Sequence, residues 1–181
     1  MVCILLGNGF EEAEAIVPAD LLRRAGVQVS LTSLEGEIVT SSHGIGVKAD
    51  VTLSQIDPAA VELVFLPGGL GGVQAMGEDP RVAQLIHQVQ ARGGYVAAIC
   101  AAPTLLASLG LLEGKRAVCY PGMENEMAGA KCRPSVPFVV DGTIITGEAA
   151  GSAFSFGLKL VELLKGSEAA QKVKDAVHYH G

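Results

Sequence analysis

Short apolar runs that end at glycine alternate along this chain with segments of helical spacing, and that alternation restricts the fold more than any other feature. Val2–Gly7 is an apolar run of strand length. Glu11–Ala25 carries Ala15, Ile16, Ala19 and Leu22 at helical spacing and stops at Gly26. Val27–Ser33 reads as a second strand, and Ile38–Thr40 with Ile45–Lys48 as a hairpin around Ser41-Ser42-His43-Gly44. Val61–Leu66 is a strand that runs into Pro67-Gly68-Gly69, and Arg81–Arg92 is a helix with Val82, Leu85, Ile86 and Val89 on one face. A strand at Tyr95–Ile99, a helix at Thr104–Leu109 and a short strand at Ala117–Cys119 follow. Val136–Val140 and Thr143–Thr146 form a hairpin through Asp141-Gly142. Ala153–Leu164 and Glu168–Val177 are the last helices, and the terminal His-Tyr-His-Gly is expected to fray. This order predicts a single α/β domain over residues 1–181, with a doubly wound, mostly parallel sheet and helices on both faces. Ligands of such sheets bind beyond the carboxyl ends of the strands.

Composition removes several function classes. The chain is 49% apolar and 18% charged, too apolar for disorder. No apolar run approaches the ~20 residues of a membrane span. The net charge is −6, and no basic patch exceeds Arg23–Arg24, which argues against nucleic acid as a partner. The four cysteines (Cys3, Cys100, Cys119 and Cys132) show no paired Cys-x-x-Cys spacing, so neither a zinc site nor a redox dithiol is expected. The opening Met-Val-Cys-Ile-Leu-Leu-Gly carries no charged leader, and the expectation is a reducing cytoplasm with free thiols.

Three strand ends carry candidate chemistry. In Tyr95-Val96-Ala97-Ala98-Ile99-Cys100-Ala101-Ala102-Pro103 a strand ends at a cysteine and a helix begins directly after it. Pro103 sets the phase, because proline is tolerated only in the first turn of a helix. The helix is therefore expected to start near Ala101, with Cys100 as its N-cap, in the manner of a nucleophile elbow. A free cysteine is more often inert packing, but a thiol at a helix start is activated. In Glu11-Glu12-Ala13-Glu14, acidic residues suit a first turn. Glu14 differs from its neighbours: it shares a face with Ala15, Pro18 and Leu21, and Pro18 removes the partner of its carbonyl, which predicts a break in the helix. An inward Glu14 would have a raised pKa and could carry protons, whereas Glu11 and Glu12 are expected to face water. In Leu66-Pro67-Gly68-Gly69, glycines allow backbone amides close to a ligand.

Phe10-Glu11-Glu12-Ala13-Glu14-Ala15 with Pro18, Leu66-Pro67-Gly68-Gly69, and Ala97–Ala107 together resemble the ThiJ/PfpI superfamily, in the branch of the Parkinson-linked protein deglycase. The likeness extends to the Gly151–Gly166 segment. It implies a flavodoxin-like three-layer sandwich, a homodimer and no cofactor. By position it implies that Cys100 is the reactive cysteine and Glu14 the carboxylate that hydrogen-bonds it, with Gly68, Gly69 and Ala101 as the backbone amides facing the site. Residue 101 is Ala where hydrolytic relatives carry His, and Tyr120 stands where the Parkinson-linked protein places a His near the cysteine. The activity implied is glyoxalase or deglycase chemistry on small reactive carbonyls or glycated adducts, with the Cys100 thiolate as nucleophile, Glu14 as proton carrier and Tyr120 as a hydrogen-bond donor. A sensor or chaperone role through oxidation of Cys100 is the alternative, and amidohydrolase chemistry, without the His, is the least supported. No metal is expected.

Overall fold

The computed structural model describes residues 1–181. The strands are β1 (Val2–Leu6), β2 (Val29–Ser33), β3 (Ile38–Thr40), β4 (Gly46–Lys48), β5 (Val51–Thr52), β6 (Leu63–Leu66), β7 (Tyr95–Ile99), β8 (Arg116–Ala117), β9 (Lys131–Cys132), β10 (Phe138–Asp141) and β11 (Ile144–Gly147). The helices are α1 (Glu12–Arg24), α2 (Leu70–Glu78), α3 (Pro80–Ala91), α4 (Ala102–Ser108), α5 (Ala153–Lys165) and α6 (Ser167–Ala176). Seven strands form one sheet in the order β10-β11-β7-β6-β1-β2-β5. All its neighbours are parallel except the β10–β11 edge hairpin. No helix is long and apolar enough to cross a membrane.

The central strands are buried on both faces, and their side chains alternate strictly between two cores. Cys3, Leu5, Val64, Leu66, Val96 and Ala98 pack with Met76, Leu85, Ile86 and Leu106 beneath α2, α3 and α4. Ile4, Leu6, Leu63, Phe65, Ala97 and Ile99 pack with Ala15, Leu22, Phe156 and Val161 beneath α1 and α5. The period of two in a strand therefore builds the three-layer, flavodoxin-like sandwich directly.

Several local expectations need correction. The α1 helix passes through Pro18 without a break. The reason is tertiary: α1 packs on α5, where Gly157 leaves room for Pro18 and Leu21. A Cβ at Gly157 would lie 2.8 Å from Leu21 Cδ1 and 3.0 Å from Pro18 Cα. Gly157→Ala should therefore destabilise the chain by roughly 1–3 kcal/mol, read from the urea midpoint. The glycine-rich stretch after Gly69 starts α2, a helix not among those expected from the sequence. Ala117–Cys119 does not join the main sheet: β8 stops at Ala117 and pairs with β9, a strand that periodicity alone does not reveal. The terminal residues are docked rather than frayed, with Tyr179 stacked on Phe154 at 5.6 Å between ring centroids and Lys174 Nζ donating to the Gly181 carbonyl at 3.0 Å.

Candidate active site

The strands β7, β6 and β1 are adjacent and parallel, so their carboxyl ends open at one place. Cys100 follows β7, Gly68 and Gly69 follow β6, and Glu14 lies in the first turn of α1, after β1. Cys100 has φ 65, in the left-handed region that a cysteine rarely occupies. It is held there from both sides: its N–H donates to the Gly147 carbonyl at 3.0 Å, and its carbonyl accepts from the Tyr120 N–H at 2.8 Å. The N-cap of α4 is Ala101, not Cys100 as expected, with Pro103 in the first turn. The thiol thus sits on the strained turn itself, one residue ahead of the N-cap.

Glu14 is fully buried, the only acidic residue in the core. Its Oε2 accepts the Gly68 N–H at 2.8 Å. Oε1 is buried and has no hydrogen-bond partner. The sulfur is close by: a Cβ at Gly68 would lie 2.5 Å from Glu14 Oε2 and 3.1 Å from Cys100 Sγ, so glycine here is what lets carboxyl and thiol approach. Gly68 also differs from its expected role, because its amide is committed to orienting Glu14. The Gly69 and Ala101 amides are the ones directed at the sulfur.

Burial pushes the Glu14 carboxyl up to about 7, against the smaller opposing effects of the Cys100 thiol and the Gly68 amide. The thiol is not lowered as a helix start predicts: burial, then the Glu14 charge and its hydrogen bond, push Cys100 up to about 12, against the Ala101 and Gly69 amides. Between these values the two groups share one proton, and the site carries one negative charge. Glu11 and Glu12 do not simply face water: Ser42 Oγ donates to Glu11 Oε2 at 3.0 Å, and His43 Nδ1 lies 2.9 Å from Glu12 Oε1, tying α1 to the β3–β4 hairpin. Tyr120 is brought next to Cys100 by its backbone, and its side chain is 49% exposed. Cys3 is buried in β1 with its thiol on Thr32, a packing role.

A model of the DJ-1/PfpI family matches residues 1–163. The chain belongs to the DJ-1/PfpI family. It is 41% identical to protein dj-1beta of Drosophila melanogaster over 94% of this chain and 92% of that protein. It is 30% identical to a protein named deglycase PH1704, of Pyrococcus horikoshii, over 91% of this chain and 99% of that one. The crystal structure of Drosophila melanogaster DJ-1beta superposes with a TM-score of 0.94 at 39% identity, covering 97% and 96% of the two chains. A cysteine-to-alanine mutant of the DJ-1 superfamily protein STM1931 from Salmonella typhimurium also gives 0.94, at 34% identity and with 99% and 98% covered.

Proposed function

We propose that the Cys100–Glu14 pair converts small 2-oxoaldehydes to 2-hydroxy acids without glutathione or another cofactor, and releases the equivalent adducts from glycated groups. The observation that carries this reading is a buried carboxyl with one unpartnered oxygen, held beside a thiol on a strained strand-to-helix turn. The name of the Pyrococcus horikoshii relative supports the same direction.

In the first step Cys100 Sγ bonds to the aldehyde carbon, and the shared proton passes to the aldehyde oxygen, giving a hemithioacetal. Glu14, now a carboxylate, removes the proton from that carbon and returns it to the neighbouring carbon. The hydroxyl proton moves to the ketone oxygen, leaving a 2-hydroxy thioester. Water cleaves the thioester, releasing the acid and restoring the thiol. The Gly69 and Ala101 amides hold the oxygen on which negative charge develops, and the Tyr120 hydroxyl donates from the open side. A base with a pKa near the working pH is best suited to such two-way proton transfer. The same likeness supports reading residues 1–181 as one domain acting as a homodimer in a reducing cytoplasm.

Purified protein mixed with excess methylglyoxal and no glutathione should consume many equivalents, and Cys100→Ser should consume none. Loss of one equivalent per chain, ending in a stable adduct on Cys100, would overturn turnover and favour a sensor.

A further inference from the structure

Cys119 and Cys132, which the site described above does not use, lie on a loop unusually rich in sulfur. Of the four cysteines and four methionines in the chain, Cys119, Met123, Met127 and Cys132 fall within residues 119–132. The fold gathers them. Ala117 is the register partner of Cys132 across the parallel β8–β9 pair, and the Arg133 N–H donates to the Ala117 carbonyl at 2.8 Å, extending the ladder. Ala117 and Cys119 belong to the core beneath α2–α4, and the intervening Val118 does not, so Cys119 lies on the same side as Ala117. Met127 is buried in that core, and Cys132 and Met123 pack against its edge.

We propose that Cys119 and Cys132 are the thiolate ligands of a soft metal ion of the Cu(I) type, in a site separate from the Cys100–Glu14 pair. Both cysteines are free thiols; Cys119 follows the end of β8 by two residues, and Cys132 ends β9 opposite Ala117. An ion holding two metal–sulfur bonds of ~2.3 Å each links sulfurs farther apart than the ~2.05 Å of a disulfide bond. Thiolate and thioether sulfur select Cu(I) over hard cations, and Met127 in the same core and Met123 at its edge bring thioether sulfur to this end of the sheet.

Glu124 lies near both thiols. Two thiols that become two thiolates around one monovalent cation leave the site one charge more negative, so binding should strengthen as pH rises. On binding, both S–H bonds break, two metal–sulfur bonds form, two protons leave to solvent, and no electron is transferred.

The test is anaerobic titration of the fully reduced protein with Cu(I) against a chromogenic copper chelator, together with calorimetry in two buffers of different ionisation heat. The Cys100→Ser protein should still bind one ion per chain and release two protons. Cys132→Ser, at the partly exposed edge, and Cys119→Ser should each weaken binding by more than the ~10–100-fold that losing even an outer partner of a metal site costs. Met127→Leu, which keeps the volume of the buried side chain, should weaken it less and serves as the variant that folds if Cys119→Ser does not. Retention of the ion by the Cys119→Ser, Cys132→Ser double variant would overturn the proposal, as would its loss from Cys100→Ser. Neither result depends on carbonyl turnover.

Discussion

Glu14→Gln should lower dicarbonyl turnover by ~10²–10⁴-fold, the range for removal of a general acid–base group, and at the same time make the folded chain more stable at pH 8. Glutamine keeps a donor in the cavity but exchanges no proton. The stability effect follows from burial. The folded pKa of Glu14 is raised from 4.5 to about 7. Stability linked to its protonated form is complete below the unfolded value and is lost as pH rises from there through about 7. A shift of this size corresponds to roughly 3 kcal/mol at pH 8. Glutamine has no charge to bury, so melting temperatures of the two proteins should nearly coincide at pH 4 and separate at pH 8, with the variant higher. A fold that retains a destabilising buried acid at neutral pH is one in which the acid has another use.

The second large effect is expected at Gly68. Its added methyl in Gly68→Ala would lie 2.6 Å from Cys100 Cβ and 2.5 Å from Glu14 Oε2, against two groups that cannot give way without leaving the site. The turn after β6 must shift, the Gly68 amide then leaves Oε2, and thiol and carboxyl separate. Misplacement by about an ångström costs on the order of 100-fold in rate, so turnover should fall by at least that much. The accompanying loss of stability should be only roughly 1–3 kcal/mol. Measuring kcat/KM for methylglyoxal alongside a denaturant melt separates the two. A variant with wild-type turnover would show that Gly68 does not set the contact.

The layout of the site is largely legible in the sequence because it rests on local signals. Pro103 fixes where α4 begins, the apolar runs of β6 and β7 end abruptly at Pro67 and Cys100, and Glu14 interrupts an otherwise apolar face of α1. What escaped depends on contacts between distant residues. The close packing of a continuous α1 at Pro18 on α5 needs the space left by Gly157, more than a hundred residues later. The commitment of the Gly68 amide to Glu14 is a non-local hydrogen bond. The β8–β9 pair is two residues long on each strand, too short for a period to show, and the tail is held by an aromatic stack on Phe154 and a hydrogen bond from Lys174. Helix α2 begins among glycines, whose weak helix propensity is overridden by packing under the β1 turn, where a Cβ at Gly72 would meet the Phe10 backbone at 2.8 Å.

The central claim is that Cys100 and Glu14 act as one acid that gives up its first proton near neutrality. The most direct measurement is the pH dependence of kcat/KM for methylglyoxal between pH 5 and pH 10, in the wild type and in Glu14→Gln. The wild type should rise with an apparent pKa of about 7 and then stay level, because Glu14 is raised to about 7 by burial and the second proton is held to about 12. The residual activity of Glu14→Gln should lack that step. A wild-type rate that climbs only above pH 8.5, as for an isolated thiol, or a step near pH 7 that survives in Glu14→Gln, would contradict the account.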